Sequence, residues 1–180
     1  WACHGGATLT HGWKPETGFL PYRYEGYDEG LLLYLLALGS PTHPLPPESY
    51  NAYCATYQWK EIYGRELLYS GPLFTHQLSH LWIDFRGIRD AFMRERGSDY
   101  FENSRQATYV QQAYAVRNPL AFVGYGEHCW GFTACDGPGW IKRSVNGVDR
   151  QFYEYIARGA PFGPDDGTVA PWVVVASLPF

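Results

Sequence analysis

The chain has 180 residues, which is enough for one domain with a sizeable core. Charged residues make up only 18% of it, and the formal net charge is −4 at pH 7. Because no cluster of Lys and Arg forms a basic stripe, a nucleic acid is not expected as a partner. The longest apolar run, residues 31–38, is too short to cross a bilayer, so no membrane contact is expected within this segment.

The first clear helix is predicted at residues 24–38. Glu25, Asp28 and Glu29 fall in its first turns, where negative charge meets the positive end of the helix dipole. The leucines between residues 31 and 38 make the rest of this helix apolar on nearly all sides, which predicts a buried helix. Gly39 is expected to end it.

Two further helices are predicted between residues 47 and 117, with a hairpin or a loop between them. Residues 47–57 form the first of them, with a proline at its start. Residues 61–75 alternate in polarity and indicate a short hairpin or a loop. A longer helix is predicted from Ser98 or Asp99, either of which can cap it, to about Arg117.

The second half of the chain is predicted to consist mainly of loops. Residues 122–147 are rich in glycine and show no periodicity, and a loop of this length is usually functional or disordered. Its aromatic content argues against disorder. A short strand is predicted at residues 152–156 and a final helix at residues 168–176. Because the helices are few and apolar on most faces, residues 1–180 are expected to be part of a single larger domain, truncated at both ends.

Two carboxylates, Glu127 and Asp136, lie within a segment that we call the glycine-rich loop, residues 122–139. Glycines let a backbone approach a ligand closely, and aromatic rings offer stacking faces for an uncharged, ring-shaped substrate. A carboxyl group in such surroundings can have a raised pKa, which suits a general acid. The pattern favours a carbohydrate-cleaving site. As alternatives, Glu127 can cap a helix, Asp136 can form an Asx turn, and the many aromatic rings can form a large core.

Other acidic residues and the histidines have simpler interpretations. Glu29 can interact with a helix dipole instead of a substrate, and Asp165-Asp166 is predicted to cap the final helix. His76 and His80 have the i, i+4 spacing of metal ligands on a helix, but no glutamate completes an HExxH pattern. We therefore expect both histidines to form hydrogen bonds in a cleft or in the core, and no metal site is predicted.

Several segments together resemble a known family. They are His11-Gly-Trp-Lys-Pro-Glu-Thr-Gly-Phe19, Tyr27-Asp-Glu-Gly-Leu31, Gly71-Pro-Leu-Phe-Thr-His-Gln77, Ser79-His-Leu-Trp-Ile-Asp-Phe-Arg-Gly87, Asp99-Tyr-Phe-Glu-Asn-Ser-Arg105, Tyr125-Gly-Glu-His-Cys-Trp-Gly131 and Gly163-Pro-Asp-Asp-Gly-Thr168. In this combination the chain resembles, over essentially its whole length, the bacterial glucoamylase-like domain of β-1,2-glucanases and cyclic β-1,2-glucan synthases. It departs from the family pattern at His11, Tyr24, Glu25 and His128, where an apolar residue, Trp, Asp and Asn are expected.

The resemblance implies a mainly α fold, the (α/α)6 toroid, of which this chain would be a partial, central fragment with long functional loops. It also implies an inverting glycoside hydrolase that cleaves a β-glucan, expected to be β-1,2-linked, without a cofactor. The implied partner is an oligosaccharide or polysaccharide. The implied location is periplasmic or secreted, although no signal peptide is visible at the start of the sequence. The alternative is a non-catalytic or phosphorylase-like glucan-binding domain of a larger β-glucan synthase.

The resemblance also implies roles for particular residues. It places the general acid at Glu127. An inverting hydrolase needs a second carboxylate, about 6.5–9.5 Å away, to activate water, and the candidates for it are Glu25, Asp28, Glu29 and Asp136. The residues expected to line the substrate subsites are Trp13, Tyr27, His76, Trp82, Arg86, Tyr125 and Trp130.

Overall fold

The structure, a computed structural model, describes residues 2–180. Within this range it has five α-helices: α1 (Leu31–Leu38), α2 (Pro47–Cys54), α3 (Ala91–Glu95), α4 (Tyr100–Arg117) and α5 (Pro171–Val175). Eight strands form two-stranded antiparallel sheets: β1 (Trp13–Lys14) with β2 (Gly18–Phe19), β3 (Trp59–Ile62) with β4 (Arg65–Leu68), β5 (Ala134–Cys135) with β8 (Ile156–Ala157), and β6 (Ile141–Val145) with β7 (Val148–Phe152). Two 3-10 turns follow β4, at Leu73–His76 and Leu78–Leu81.

The expectation of a mainly α fold, the (α/α)6 toroid, is wrong for this chain. Helices, with the two 3-10 turns counted among them, account for 29% of the residues and strands for about 17%. Of the five helices described, four are eight residues long or shorter, so they cannot supply the two rings of a toroid. The low helix content has a local cause. Many segments between the helices contain glycines with positive φ angles, which favour turns and hairpins.

Helix α1 is shorter and more exposed than predicted. It begins at Leu31 instead of residue 24, because Gly26 has a φ angle of 76°, a left-handed conformation that interrupts helical geometry. The preceding residues 25–30 form a turn, which we call the acidic turn. Only two residues of α1 are buried, and Leu36 is 63% exposed, so the prediction of a helix buried on all sides is wrong.

Helix α4 forms as predicted and lies at the centre of the core. The Asp99 side chain caps it by accepting a hydrogen bond from the Glu102 amide at 2.8 Å, and Asn118 ends it in the left-handed conformation. Its 18 residues span about 27 Å. Along this length it contributes to three hydrophobic clusters, from Tyr100 at its start to Tyr114 near its end.

Two buried amide side chains of α4 bind the backbones of neighbouring segments. Asn103 pairs with both backbone groups of Leu68 in β4, at 2.7 and 3.2 Å. Gln111 pairs in the same way with Phe132 of the glycine-rich loop, at 2.8 and 2.9 Å. Helix α4 therefore positions both β4 and the loop that carries Glu127.

The shorter helices and strands agree in part with the predictions from the sequence. Helices α2 and α5 fall within the predicted helices at residues 47–57 and 168–176. Of the two alternatives for residues 61–75, the structure contains the hairpin, formed by β3 and β4. It starts at Trp59, two residues earlier than predicted. None of the helices within residues 2–180 is both long and apolar enough to span a membrane.

The hairpin of β6 and β7 was not predicted, since residues 122–147 were expected to be a loop. Val145 pairs with Val148 across a two-residue turn. Asn146 and Gly147 both have positive φ angles, 53° and 77°, as a type I′ turn requires. Asn-Gly is the preferred pair for this turn, so the sequence did contain the signal.

Candidate active site

The acidic turn presents the half-buried carboxyl group of Asp28. Its Oδ1 atom accepts hydrogen bonds from the Tyr53 hydroxyl and the Gly30 amide, both at 2.9 Å. The bond to Gly30 makes an Asx turn. Gly30 leaves no room for a side chain, because a Cβ atom there would lie 2.8 Å from both Asp28 Oδ1 and the Tyr24 ring. A glycine is therefore needed to let this carboxyl group fold back onto the turn.

Burial raises the pKa of Asp28 to about 6, although the hydrogen bonds from Gly30 and Tyr53 favour its charged form. The neighbouring charge of Glu29 adds to the increase, and His11 opposes it. The Oδ2 atom accepts no hydrogen bond from the part of the chain that the structure describes. A carboxyl group with these properties can hold a proton and release it close to neutral pH, as general acid–base chemistry requires.

Asp28 borders a surface hollow of about 520 Å³ that a second carboxylate, Glu25, also lines. The other residues around it are His11, Pro21, Tyr22 and Arg23. Glu25 is exposed, and its Oε1 atom accepts a hydrogen bond of 3.2 Å from the Thr8 hydroxyl. The acidic turn thus brings two of the predicted carboxylates to the edge of one hollow.

Glu29, the third carboxylate of the acidic turn, borders a different hollow of about 240 Å³ together with Trp82. Trp82 is 75% exposed, so its ring face is available for stacking on a sugar. Tyr24 also lines this hollow, and its ring stacks on His11 of the first hollow with centroids 4.2 Å apart. The two hollows therefore adjoin across this pair of rings.

Glu127 lies in another part of the molecule. Its exposed side chain borders a hollow with Arg65 and Arg117, and the described residues that line this hollow include no second carboxylate. Its backbone carbonyl accepts a hydrogen bond of 3.2 Å from the Gln112 side chain of α4. It caps no helix in the structure, and its role as the general acid stays a prediction.

Different turns of α4 contact the acidic turn and Glu127. Tyr27 stacks on Tyr100, the first residue of the helix, with centroids 5.8 Å apart, whereas Glu127 contacts Gln112. Positions 100 and 112 of a helix lie about 18 Å apart along its axis. Glu127 and the carboxylates of the acidic turn border different hollows, whereas the two carboxylates of an inverting pair face one bond from about 6.5–9.5 Å apart.

The other predicted site residues near the surface are dispersed. Asp136 is exposed beside β5 and borders neither hollow of the acidic turn. Trp13 in β1 is 48% exposed, and the exposed guanidinium of Arg86 lies over the Phe101 ring at 4.6 Å. These side chains are accessible, but the structure does not collect them around one carboxylate.

Tyr125 and Trp130 are half-buried within the glycine-rich loop. Both pack against the cluster that contains Tyr114 and Phe132. Most of their ring surface therefore contributes to the core, which was the alternative explanation for the aromatic excess.

Tyr27 and His76 are enclosed in the core, with 4% and 1% of their surface exposed. The Nε2 atom of His76 lies 3.2 Å from the Ser70 carbonyl, and its Nδ1 atom lies 3.3 Å from the Asn103 amide nitrogen. Burial lowers the pKa of His76 to about 4, so the ring is neutral at pH 7. This is the hydrogen-bonding role expected from the sequence, and it leaves no ring nitrogen for a substrate.

A second group of polar residues lies behind the glycine-rich loop. Asp165 accepts hydrogen bonds from the hydroxyls of Tyr114 and Tyr125, at 2.8 and 2.6 Å. Asp166 forms a salt bridge of 2.7 Å with Arg158, and both side chains are fully buried. The prediction that Asp165-Asp166 caps the final helix is wrong, because α5 has no side-chain cap. Among residues 2–180, no three His, Cys, Asp or Glu side chains come close enough to hold a metal ion.

Comparison with known proteins adds to this geometry. Residues 21–180 match the Glycoamylase family, whose description is "Putative glucoamylase". An exo β-1,2-glucooligosaccharide sophorohydrolase (non-reducing end) from Parabacteroides distasonis is 27% identical over 194 residues, which cover 93% of this chain and 24% of that protein.

Solved structures are similar over nearly the whole chain. The structure of an endo-β-1,2-glucanase from Chitinophaga pinensis, a complex with sophorotriose and glucose, has a TM-score of 0.78 and 28% identity, covering 99% of this chain and 41% of that one. A "putative glucoamylase" from Bacteroides uniformis has a TM-score of 0.80 and 28% identity, with the same two coverages. The chain spans less than half the length of each of these relatives.

Proposed function

Because the chain belongs to the Glycoamylase family, we propose that it is part of a glycoside hydrolase that cleaves β-1,2-glucan. The names of the sophorohydrolase and the endo-β-1,2-glucanase support this substrate. The observation that carries the reaction type is the protonatable carboxyl group of Asp28, which shares a hollow with Glu25. Two carboxyl groups with different environments are what the hydrolysis of a glycosidic bond requires.

Asp28 is the proposed proton donor. Its Oδ1 atom is occupied by two hydrogen-bond donors, so the proton of the neutral acid is placed on Oδ2. As the bond between the anomeric carbon and the glycosidic oxygen breaks, this proton passes to the oxygen of the leaving sugar. Glu25 is the proposed base, which takes a proton from the water that attacks the opposite face of the sugar and inverts its configuration.

The adjoining hollow is proposed to bind the next part of the glucan. Trp82 offers an exposed ring for stacking, and the Glu29 carboxylate can accept hydrogen bonds from sugar hydroxyls. A glucan that extends from the first hollow past the stacked rings of Tyr24 and His11 reaches both groups.

The test is the substitution Asp28→Asn in the full-length protein. This change keeps the acceptor oxygen for Tyr53 but removes the proton, so kcat/KM for β-1,2-glucan is expected to fall by about 100-fold or more. Asp149→Asn, an exposed residue of the β6–β7 hairpin, makes the same charge change and is expected to retain full activity. If Glu127→Gln abolishes hydrolysis while Asp28→Asn does not, the donor is Glu127 and the assignment to Asp28 is rejected.

Product analysis separates this proposal from a non-catalytic or phosphorylase-like domain. Hydrolysis releases new reducing ends without phosphate, and NMR of the fresh product reports whether the configuration is inverted. A requirement for phosphate identifies a phosphorylase, and binding without any product identifies a non-catalytic domain. Either of these two results contradicts the proposed hydrolase.

A further inference from the structure

We propose that Tyr53 of α2 is a positioning residue that holds Asp28 in the orientation needed for proton transfer. Its hydroxyl donates to Asp28 Oδ1 at 2.9 Å, which leaves Oδ2 as the oxygen that carries and releases the proton. The inference rests on the proposed function, in which Asp28 is the acid. It assigns a role in the reaction to a fully buried tyrosine that touches no substrate.

The Tyr53 hydroxyl is surrounded by atoms of Asp28. Besides its bond to Oδ1, it lies 3.3 Å from the Asp28 carbonyl oxygen and 3.4 Å from the Asp28 amide nitrogen. The tyrosine ring is fixed on both sides, stacked on Tyr34 at 4.3 Å and meeting the edge of Tyr57 at 5.1 Å. The hydroxyl therefore cannot follow the carboxyl group if that group rotates, and it defines one orientation of Asp28.

A second contact joins the same helix end to the acidic turn. The Thr56 hydroxyl accepts a hydrogen bond from the Gly26 amide and donates to the Tyr53 carbonyl at 2.7 Å. The acidic turn is thus held on both sides of Tyr27, by Tyr53 of α2 and by Thr56 just after this helix. This second anchor lets the loss of the Tyr53 hydroxyl change the orientation of Asp28 without releasing the turn.

Tyr53 acts only as a donor to the carboxyl group, because burial and the nearby charge of Asp28 raise its pKa well above the usual value. Its hydrogen bond favours the ionised form of Asp28. Without the hydroxyl, the pKa of Asp28 rises further and the proton is released less readily. The titratable and charged groups that surround Asp28 from all packed segments are His11, Arg23, Tyr24, Glu25, Tyr27, Glu29, Tyr34 and Tyr53.

The test compares Tyr53→Phe with Tyr50→Phe in the full-length protein. Tyr50 lies one turn earlier on α2, and its hydroxyl also binds an aspartate, Asp90, so both variants lose a partly buried tyrosine–aspartate hydrogen bond. For Tyr53→Phe we expect kcat on β-1,2-glucan to fall about tenfold with KM changed less than about twofold. The basic limb of the kcat/KM profile is expected to move up by about half a pH unit or more. Tyr50→Phe is expected to leave both the profile and kcat unchanged.

An NMR titration of protein labelled with ¹³C at aspartate Cγ separates this inference from the proposed function, with Asp28→Asn identifying the Asp28 resonance. A higher pKa of Asp28 in Tyr53→Phe supports the link between the two residues whether or not Asp28 is catalytic. An unchanged pKa, or equal pH profiles of the two tyrosine variants, overturns the inference. Full hydrolysis by Asp28→Asn instead overturns the assignment of the acid.

Discussion

The acidic turn and the glycine-rich loop hold carboxyl groups in opposite ways. In the acidic turn, Asp28 receives hydrogen bonds from two neutral donors, and burial raises its pKa to about 6. Behind the glycine-rich loop, Asp166 is also buried, yet the hydrogen bonds from Arg158 overcome the effect of burial and lower its pKa. One carboxyl group can therefore exchange a proton under mild conditions, whereas the other stays ionised and supports the fold.

This comparison shows that the types of residue in a segment do not by themselves determine what their side chains do in the structure. In the sequence, the glycine-rich loop has more residues of the types found in active sites than the acidic turn has. In the structure, several of its polar and aromatic side chains contact the core instead, as in the hydrogen bond from Tyr125 to Asp165. The acidic turn looks like the first turn of a helix in the sequence. Its chemistry depends on the buried hydroxyl of Tyr53, which lies 25 residues further along the chain.

The largest expected change in stability tests the role of the buried Asp166 carboxylate and its salt bridge to Arg158. Arg158→Leu leaves the Asp166 carboxylate buried without its cation and is expected to cost about 3–5 kcal/mol of stability. Arg158 also donates to the carbonyls of Cys135 and Tyr153, so β5 and the segment before β8 should loosen as well. Urea unfolding of the full-length protein measures the change.

The matched control is Arg143→Leu, an exposed arginine on β6, for which the expected change is within about 0.5 kcal/mol. Asp28→Asn, on the other side of the comparison, keeps its acceptor oxygen and is expected to change the stability little at pH 4, where the folded-state carboxyl group is also uncharged. Equal stabilities of the two arginine variants would show that the buried salt bridge does not support the fold.

The local signals in the sequence predicted some elements well and others not at all. The possible caps at Ser98 and Asp99 located the start of α4 closely, because capping acts through neighbouring backbone groups. The charge pattern of the acidic turn predicts a helix start, because the left-handed conformation of Gly26 cannot be recognised from composition. The proposed toroid depended on the family resemblance and failed for the elements of this chain.

The candidate site was predictable as a set of residues but not as an arrangement. Glu25 and Asp28 are two of the four candidates that the sequence offers for the second carboxylate, and the structure places both at one hollow. Glu127 borders a different hollow, because its loop contacts a later turn of α4 than the acidic turn does, and no local pattern encodes these contacts. Tyr53 was missed because its only signal is a contact across the fold.

The second effect concerns the pH dependence of stability. Asp28 has a pKa of about 6 in the folded protein and about 4 when unfolded, so between these values the folded state binds more protons. Stability from this group is therefore present at pH 4 and is lost as the pH rises through 6, by on the order of 2 kcal/mol. The lowered pKa of Asp166 acts in the opposite direction, and its contribution is lost as the pH falls below the usual carboxyl range.

Unfolding free energies at pH 4, 5, 6 and 7 measure this difference. The wild-type protein minus Asp28→Asn should show a contribution that declines over this range, and wild type minus Asp149→Asn should show no such decline. A flat difference for Asp28→Asn would mean that its carboxyl group titrates as an ordinary exposed acid and is unsuited to the proposed role.

The smallest expected effect sharpens the description of the glycine-rich loop. Tyr125→Phe removes one of the two tyrosine hydroxyls that bind Asp165 and should cost about 1 kcal/mol, because the Tyr114 hydroxyl and the Gly167 amide still bind this carboxylate. The exposed Tyr155→Phe serves as the control, with no measurable change expected. If Glu127 is only a surface residue, Tyr125→Phe lowers stability and leaves the kcat for glucan unchanged. A fall in kcat without a loss of stability would instead show that the glycine-rich loop takes part in the reaction, through Tyr125 itself or through the position of Glu127, and the two regions would then have to act together on one substrate.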